Sequence, residues 1–239
     1  MRIFDEKIKF DEAEHKYTYR DVEMESVTTF LGRHSKEFDT DTHSKRVATK
    51  RKISQETVLA EWEANKEYAL DFGTKIHHYA ENAYKGLPNK ETIDERELAY
   101  RAIVDKYMDE HKRLRLVASE LQLVSPIHRL AGTVDLLLTD GKGKYFMYDW
   151  KTSKEINEFS KYKDRMLAPL DYLDDCNFTK YSLQLNLYNY MLHKKGIYPN
   201  GLYIVHLTSS GYKEFKVPFM DDEIQALLIM RLHEIAKTK

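Results

Sequence analysis

Apolar and polar positions change rhythm several times along this chain. KIKF (7–10) and HKYTY (15–19) alternate and read as a short hairpin. Ser26 or Thr28 is placed to cap a helix running through TTFLGR. From residue 41 to 70 the pattern is mostly helical and highly charged. Asp71-Phe72-Gly73 interrupts it, and Thr74 is placed to cap a new helix, KIHHYAENAY, that Gly86-Leu87-Pro88 ends. A further helix is predicted over 94–113, with Leu98, Ala102, Ile103 and Tyr107 on one face.

Strand signals then take over. LRLVASELQLV (114–124), RLAGTVDLLL (129–138) and KYFMYDW (144–150) are strand-like runs, joined by the turn chemistry of SPIH and TDGKG. A charged segment (154–177) has no assigned form. YSLQLNLYNYMLHK reads as a helix, with Leu183, Leu187 and Met191 spaced by four toward the core. Strands LYIVHL and YKEFKV and a closing helix, DDEIQALLIMRLHEIAK, complete the chain. This order predicts a mixed α/β layer fold with a largely antiparallel sheet.

Composition bounds the chemistry. The 239 residues fit one large domain, or a core with a helical appendage, and 42% of them are hydrophobic. Charged residues reach 32% but the net charge is −1, so any basic surface is local. Cys176 is the sole cysteine, which excludes an intrachain disulfide and any four-cysteine zinc or iron–sulfur site. That fits a reducing cytosol. The acidic N-terminus lacks an apolar run, so neither a signal nor a transit peptide is expected, and no apolar stretch approaches the ~20 residues that span a bilayer.

Carboxylates inside apolar strands stand out. Asp149 and Lys151 are two apart, so they share a strand face with Met147, while Phe146, Tyr148 and Trp150 take the other. A hairpin turning about Lys142 puts Asp135 opposite Asp149. A turn between Ile127 and His128 puts Glu120 opposite Asp135. Opposed acids destabilise a sheet unless something compensates, and one lysine cannot balance three of them. On spacing alone two readings stand: ordinary salt bridges at a sheet edge, or a bound hard cation with oxygen ligands.

Gly132-Thr133-Val134-Asp135 followed by Asp149-Trp150-Lys151 resembles the core signature of the PD-(D/E)XK nuclease superfamily. Gly73-Thr74-Lys75-Ile76-His77 is similar to the G-T-x-x-H helix start of its RecB-type and lambda-exonuclease-like branch, and Gln184 to Tyr188 to the Q-x-x-x-Y helix found there. The subgroup it most resembles is the cluster-free exonucleases of phages and of mitochondrial genome maintenance. The resemblance implies a restriction-endonuclease-like core in a single domain, 1–239, with 1–72 an N-terminal hairpin and helical part and 73–239 the catalytic core.

The resemblance also implies roles. Asp135 and Asp149 would be central metal ligands, joined by the backbone carbonyl of Trp150 and by His77. Glu120 would contact metal directly or through water, or hold Lys151. Lys151 would orient the nucleophile and offset charge on the phosphate, and Gln184 and Tyr188 would support the site. Imidazole suits Mn²⁺ better than Ca²⁺, so one or two Mg²⁺ or Mn²⁺ ions are expected. His78 points elsewhere and carries no role.

DNA needs phosphate neutralisation. Lys45, Arg46, Lys50, Arg51 and Lys52 form one basic cluster; Lys161, Lys163 and Arg165 form a second, with Tyr162 suited to base stacking. The 41–70 helices and the 154–177 segment are expected to flank a channel. The expected protein is a metal-dependent DNA exonuclease acting on single-stranded or end-containing DNA in phage replication, recombination or repair. It would work in the (host) cytoplasm, with DNA and a recombination or replication protein as partners and no membrane. Three alternatives remain: a structure-specific or nicking endonuclease, a catalytically silent DNA-binding module, and a protein acting on another phosphate ester.

Overall fold

The computed structural model describes residues 4–5, 7–11, 14 and 16–237; His15, at the start of the expected second strand, lies outside the described residues. The N-terminal part contains β1 (Ile8–Asp11), β2 (Lys16–Tyr19) and β3 (Val22–Ser26), then α1 (Val27–Gly32), α2 (Thr40–Arg51), α3 (Gln55–Lys85) and α4 (Glu95–Glu110). The rest of the chain follows with β4 (Arg115–Ser125), a 3-10 turn (Pro126–His128), β5 (Leu130–Thr139), β6 (Tyr145–Lys151), α5 (Asn177–His193), β7 (Pro199–Thr208), β8 (Gly211–Val217) and α6 (Asp221–Lys237). Ser26 caps α1 by accepting the Thr29 N–H at 3.0 Å, as its position predicts.

One mixed sheet organises the chain. Antiparallel pairing joins β1 to β2, β2 to β3, β4 to β5, β5 to β6 and β7 to β8; β3–β5 and β6–β7 are parallel. The centre of this sheet forks. β4 runs along one edge of β5, from Leu130 to Thr139. The opposite edge is shared: β3 takes Leu130 and Ala131, and β6 takes Leu136 to Thr139. Gly132 to Asp135 lie in the gap between those partners.

Helices cover both faces. On one, α1, α5 and α6 bury Phe30, Leu183, Leu187 and Leu227 against Val134, Leu137 and Met147. On the other, α3 and α4 bury Phe72, Ile76, Tyr100, Val104 and Tyr107 against Leu136, Leu138, Tyr148 and Trp150. Alternation along β6 thus places Met147 and its two neighbours in opposite layers, as the sequence predicts.

Two expectations are corrected. The chain does not break at Asp71-Phe72-Gly73: α3 is one helix of 31 residues, and Thr74 donates to the Leu70 carbonyl at 3.0 Å as an interior residue rather than a cap. The break falls earlier, where left-handed Lys52 ends α2 and Ser54 caps α3. A mid-helix glycine costs about 1 kcal/mol relative to alanine, and burial of Phe72, Ile76 and Ala80 outweighs that. The second correction concerns α4. It buries Glu97, Tyr100, Val104 and Tyr107, while Leu98 and Ala102 face solvent. Tyr107 is buried as expected, but Tyr100 and Val104 rather than Leu98 and Ala102 complete the buried face, and Arg101 pairs with the Glu97 carboxylate.

Candidate active site

The expected register holds on both sides of β5. Leu136 pairs with Tyr148 and Leu137 with Met147, so the hairpin turns about Lys142 and the next position joins Asp135 to Asp149. There the ladder stops, and the Asp135 side chain takes over: its Oδ2 accepts the Trp150 N–H at 2.8 Å. Across β4, Ser119 pairs with Leu136 and Leu121 with Val134, which brackets Glu120 against Asp135. Glu120 itself has φ +47°, a left-handed conformation unusual for glutamate inside a strand. Such strain costs roughly 1–3 kcal/mol and persists only where neighbours over-determine it; the ladder pairs on either side do so here.

α3 delivers His77. Its Nε2 lies 3.1 Å from the Trp150 carbonyl oxygen and its Nδ1 lies 3.4 Å from Asp135 Oδ2. If Nε2 carries the hydrogen and donates to that carbonyl, the neutral ring turns its Nδ1 lone pair toward a carboxylate. Two acceptors then face each other, which calls for a cation or a proton between them. His77, Glu120 and Asp135 each place one ligand atom so that all lie within 4.8 Å of one another. Gly73, one turn before His77, faces Thr152: a β-carbon there would sit 3.4 Å from Thr152 Oγ1, an ordinary contact distance.

Asp149 and Lys151 form the second half. Asp149 is 1% exposed. Its Oδ1 accepts Gln184 Nε2 at 3.2 Å. Its Oδ2 is in close ion contact with Lys151 Nζ. Burial pushes the Asp149 carboxyl up to about 6, Lys151 opposing and Asp135 adding to the rise. For Lys151, burial works against the charge, but Asp149 and Asp135 outweigh it and hold the ammonium above its ordinary range. Glu120 rises furthest, to about 9, through burial and then the charges of Asp135 and Glu81. A surplus of buried negative charge is the electrostatic signature of this site.

α5 supports it from beneath. Gln184 Nε2 also lies 3.3 Å from the Tyr188 hydroxyl. Tyr188 fills the space over Gly132: a β-carbon there would lie 2.7 Å from the Tyr188 hydroxyl and 2.9 Å from Cζ. Gln184 thus holds Asp149 rather than contacting Lys151 directly. Sequence reasoning missed two supporting groups, Tyr181 and Tyr17. Tyr181 lies under Lys151 Nζ, 4.6 Å from the ring centre; its spacing of three from Gln184 and seven from Tyr188 places it on the same helix face. Tyr17, from β2, bonds Thr133 Oγ1 at 2.9 Å. No local signal could have found that pair, 116 residues apart.

The model of one protein family, described as the PD-(D/E)XK nuclease superfamily, matches residues 99–229, just over half of the chain. The chain belongs to the PD-(D/E)XK nuclease superfamily. The matched span includes Glu120, Asp135, Asp149, Lys151, Gln184 and Tyr188, and His77 stands outside it. No curated protein matches the chain. Among solved structures, it is similar to the crystal structure of SSO0001, with 14% sequence identity over 85% of this chain and 83% of that one, at a TM-score of 0.32.

For a member of this nuclease superfamily the donor set is chemically apt. One imidazole, buried carboxylates and a backbone carbonyl suit a divalent cation that accepts oxygen and nitrogen. Glu120, whose carboxyl is pushed up to about 9, gains from added positive charge.

The basic residues sit apart from these acids. Lys45 pairs with Asp41 at 2.7 Å, Arg51 with Glu61, Lys161 with Glu155, and Arg165 with Asp174 at 2.6 Å. Arg46, Lys50, Lys52 and Lys163 are exposed, and Tyr162 is 85% exposed. The segment after α1 is tied to the loop after β6: Leu167 N–H donates to the His34 carbonyl at 2.7 Å, and Ser35 Oγ to Asp175 Oδ1 at 3.3 Å. No described helix is long and apolar enough to cross a membrane.

Proposed function

We propose that this chain is a divalent-metal-dependent DNA exonuclease of the RecB-type and lambda-exonuclease-like branch, acting on single-stranded or end-containing DNA. The observation that carries the reading is the convergence of His77, Glu120 and Asp135 beside the buried Asp149–Lys151 pair. His77, Asp135, Asp149, Glu120 and the Trp150 carbonyl would hold one or two Mg²⁺ or Mn²⁺ ions. A metal held there would lower the pKa of a bound water and screen the phosphoryl oxygens.

The chain's own groups supply the rest. Lys151, kept charged between two carboxylates, orients the attacking water and neutralises charge that develops on the phosphate. Asp149 anchors Lys151, and Gln184 anchors Asp149. Tyr181 packs under the lysine and limits where its ammonium can go. Lys45, Arg46, Lys50 and Arg51 on α2, with Lys161, Tyr162, Lys163 and Arg165 after β6, line the approach of the strand. The Lys45–Asp41 and Lys161–Glu155 pairs there are exposed, so exchanging their carboxylates for a phosphate costs little. Tethering of the post-α1 segment to residues 167–175 favours a bounded channel, which selects a free end. A role in phage DNA metabolism, in a cytoplasmic setting, follows from the same branch.

End-labelled oligonucleotides test this: 5′ and 3′ labels, single and double strands, with Mg²⁺, Mn²⁺ or EDTA. The expected result is metal-dependent shortening of linear DNA, with closed circles left intact. Cutting of closed circles replaces the exonuclease with a nicking endonuclease. Undiminished cleavage by both Asp149→Ala and Lys151→Ala overturns the site.

A further inference from the structure

A second concavity lies beside the active site, on another face of α5. Its volume is ≈ 500 Å³. Phe159, Tyr172 and Phe178 supply aromatic walls, Met220 adds an apolar one, and Ser182 lines it from α5. Four observations bear on what it holds.

The first is exposure. Phe159 is 77% exposed and Tyr172 is 58% exposed. Large rings left in water at the mouth of an apolar cavity mark a binding surface. The second is polarity. Ser182 is 2% exposed and its hydroxyl has no hydrogen-bond partner. A buried hydroxyl without a partner is costly unless a ligand supplies one. The third is charge. Glu158 and Asp174 also line the cavity, but Lys213 lies 3.6 Å from the first and Arg165 2.6 Å from the second. The interior is thus apolar with its acids neutralised, while exposed Lys163 stands on the same loop. The fourth is position. Ser182 adjoins Tyr181, which packs on Lys151, and lies two residues from Gln184, about 3 Å along the helix axis.

We propose that this cavity receives an unpaired nucleobase of the DNA strand held in the active site, a few nucleotides from the scissile phosphate. Phe159 stacks on the base, the Ser182 hydroxyl meets its polar edge, and the loop cations meet the flanking phosphates. A flat, aromatic ligand with polar edges matches an aromatic slot with one buried hydroxyl, whereas an aliphatic peptide would leave Ser182 unsatisfied. The inference deepens the nuclease reading and rests on it.

The test is an abasic scan. A fluorescent single-stranded oligonucleotide is titrated with the full chain in EDTA, and one base at a time is removed along its length. Base–aromatic stacking of ~1–3 kcal/mol corresponds to roughly 5- to 150-fold in affinity. One position is expected to lose that much when abasic, and 2-aminopurine there is expected to be quenched. Phe159→Ala, at an exposed ring, is expected to weaken the intact oligonucleotide similarly and to flatten the scan. Phe159→Trp should restore both. A flat scan in the unaltered protein overturns the pocket, as does a scan that Phe159→Ala leaves unchanged. Metal-dependent cleavage alongside a flat scan leaves the nuclease reading standing without the pocket. A sharp scan with no cleavage under any metal does the reverse.

Discussion

Asp135 Oδ2 accepts the backbone N–H of Trp150 at 2.8 Å, so a side chain stands where the β5–β6 ladder would have its next rung. The same carboxylate faces His77 Nδ1 at 3.4 Å. On the proposed reading, holding β6 in place and offering a ligand oxygen are one residue's work, and substitutions can part them. Asp135→Asn keeps an acceptor for Trp150 but loses the charge. It should fold normally, yet lose roughly 10²–10³-fold in cleavage, the scale of removing one electrostatic contact at a reacting centre. Asp135→Ala should lose as much activity and about 1–3 kcal/mol of stability, because a buried N–H is orphaned. Urea unfolding beside a cleavage assay distinguishes the two.

Lys151 and Asp149 are predicted to be strongly coupled. Removing the cation from a buried pair leaves an uncompensated charge, at a cost of about 3–5 kcal/mol. Lys151→Met should therefore destabilise the metal-free protein sharply. Adding Asp149→Asn should recover most of that loss while restoring no activity. If the double variant is less stable than Lys151→Met alone, the two groups do not share a buried charge balance.

Glu120 makes stability in EDTA fall with rising pH. Its carboxyl is raised from 4.5 to about 9 in the folded chain, so the native state holds a proton that the unfolded state has released. Stability contributed this way is fully present below pH 4.5 and is lost as pH climbs toward 9. Thermal unfolding between pH 6 and 9 should show a declining Tm, and Glu120→Gln should flatten it. Mn²⁺ should raise Tm more at pH 8 than at pH 6, because cation and proton compete for the same oxygens.

Gly132→Ala should disturb the fork. The new methyl group would push on the Tyr188 ring and hydroxyl, which lie within 2.9 Å of its place. Overpacking of this kind costs about 1–3 kcal/mol. Tyr188→Leu should relieve it in the double variant, giving back stability without activity, since the Gln184 contact is gone. Chemical denaturation of the set of four proteins measures the coupling.

Tyr17→Phe removes one hydroxyl from the bond to Thr133 and leaves the ring stacked on Phe10. The expected outcome is a 10–100-fold loss of activity or metal affinity, as for other groups that orient ligands from behind. Stability should change by no more than about 1.5 kcal/mol. Activity equal to the unaltered protein would show that β2 merely packs against the site.

Much of the site was legible because a strand's period is fixed. The turn at TDGKG centres on Lys142 and the one before it on residues 127 and 128, so Glu120, Asp135 and Asp149 had to fall into line once the strands were recognised. Helix periodicity likewise joined Gln184 to Tyr188. The errors have physical causes. Gly73 looked like a break because local preference was weighed without the burial of Phe72 and Ile76. In α4 Tyr107 was placed correctly, but the face was drawn through Leu98 and Ala102 when Tyr100 and Val104 carry it. The Tyr17–Thr133 bond depends on β2 reaching β5 through the gap beside β3, a long-range arrangement that no local pattern encodes.

The unbroken course of α3 has a mechanical meaning. From its capped start to His77 the rod is about 35 Å long, and it has no joint at which tilt could be absorbed. A displacement of its outer end, where Arg51 of α2 pairs with Glu61, would be carried along the rod to the His77 imidazole. On the proposed reading, contact of DNA with α2 and the placement of His77 would then be mechanically linked.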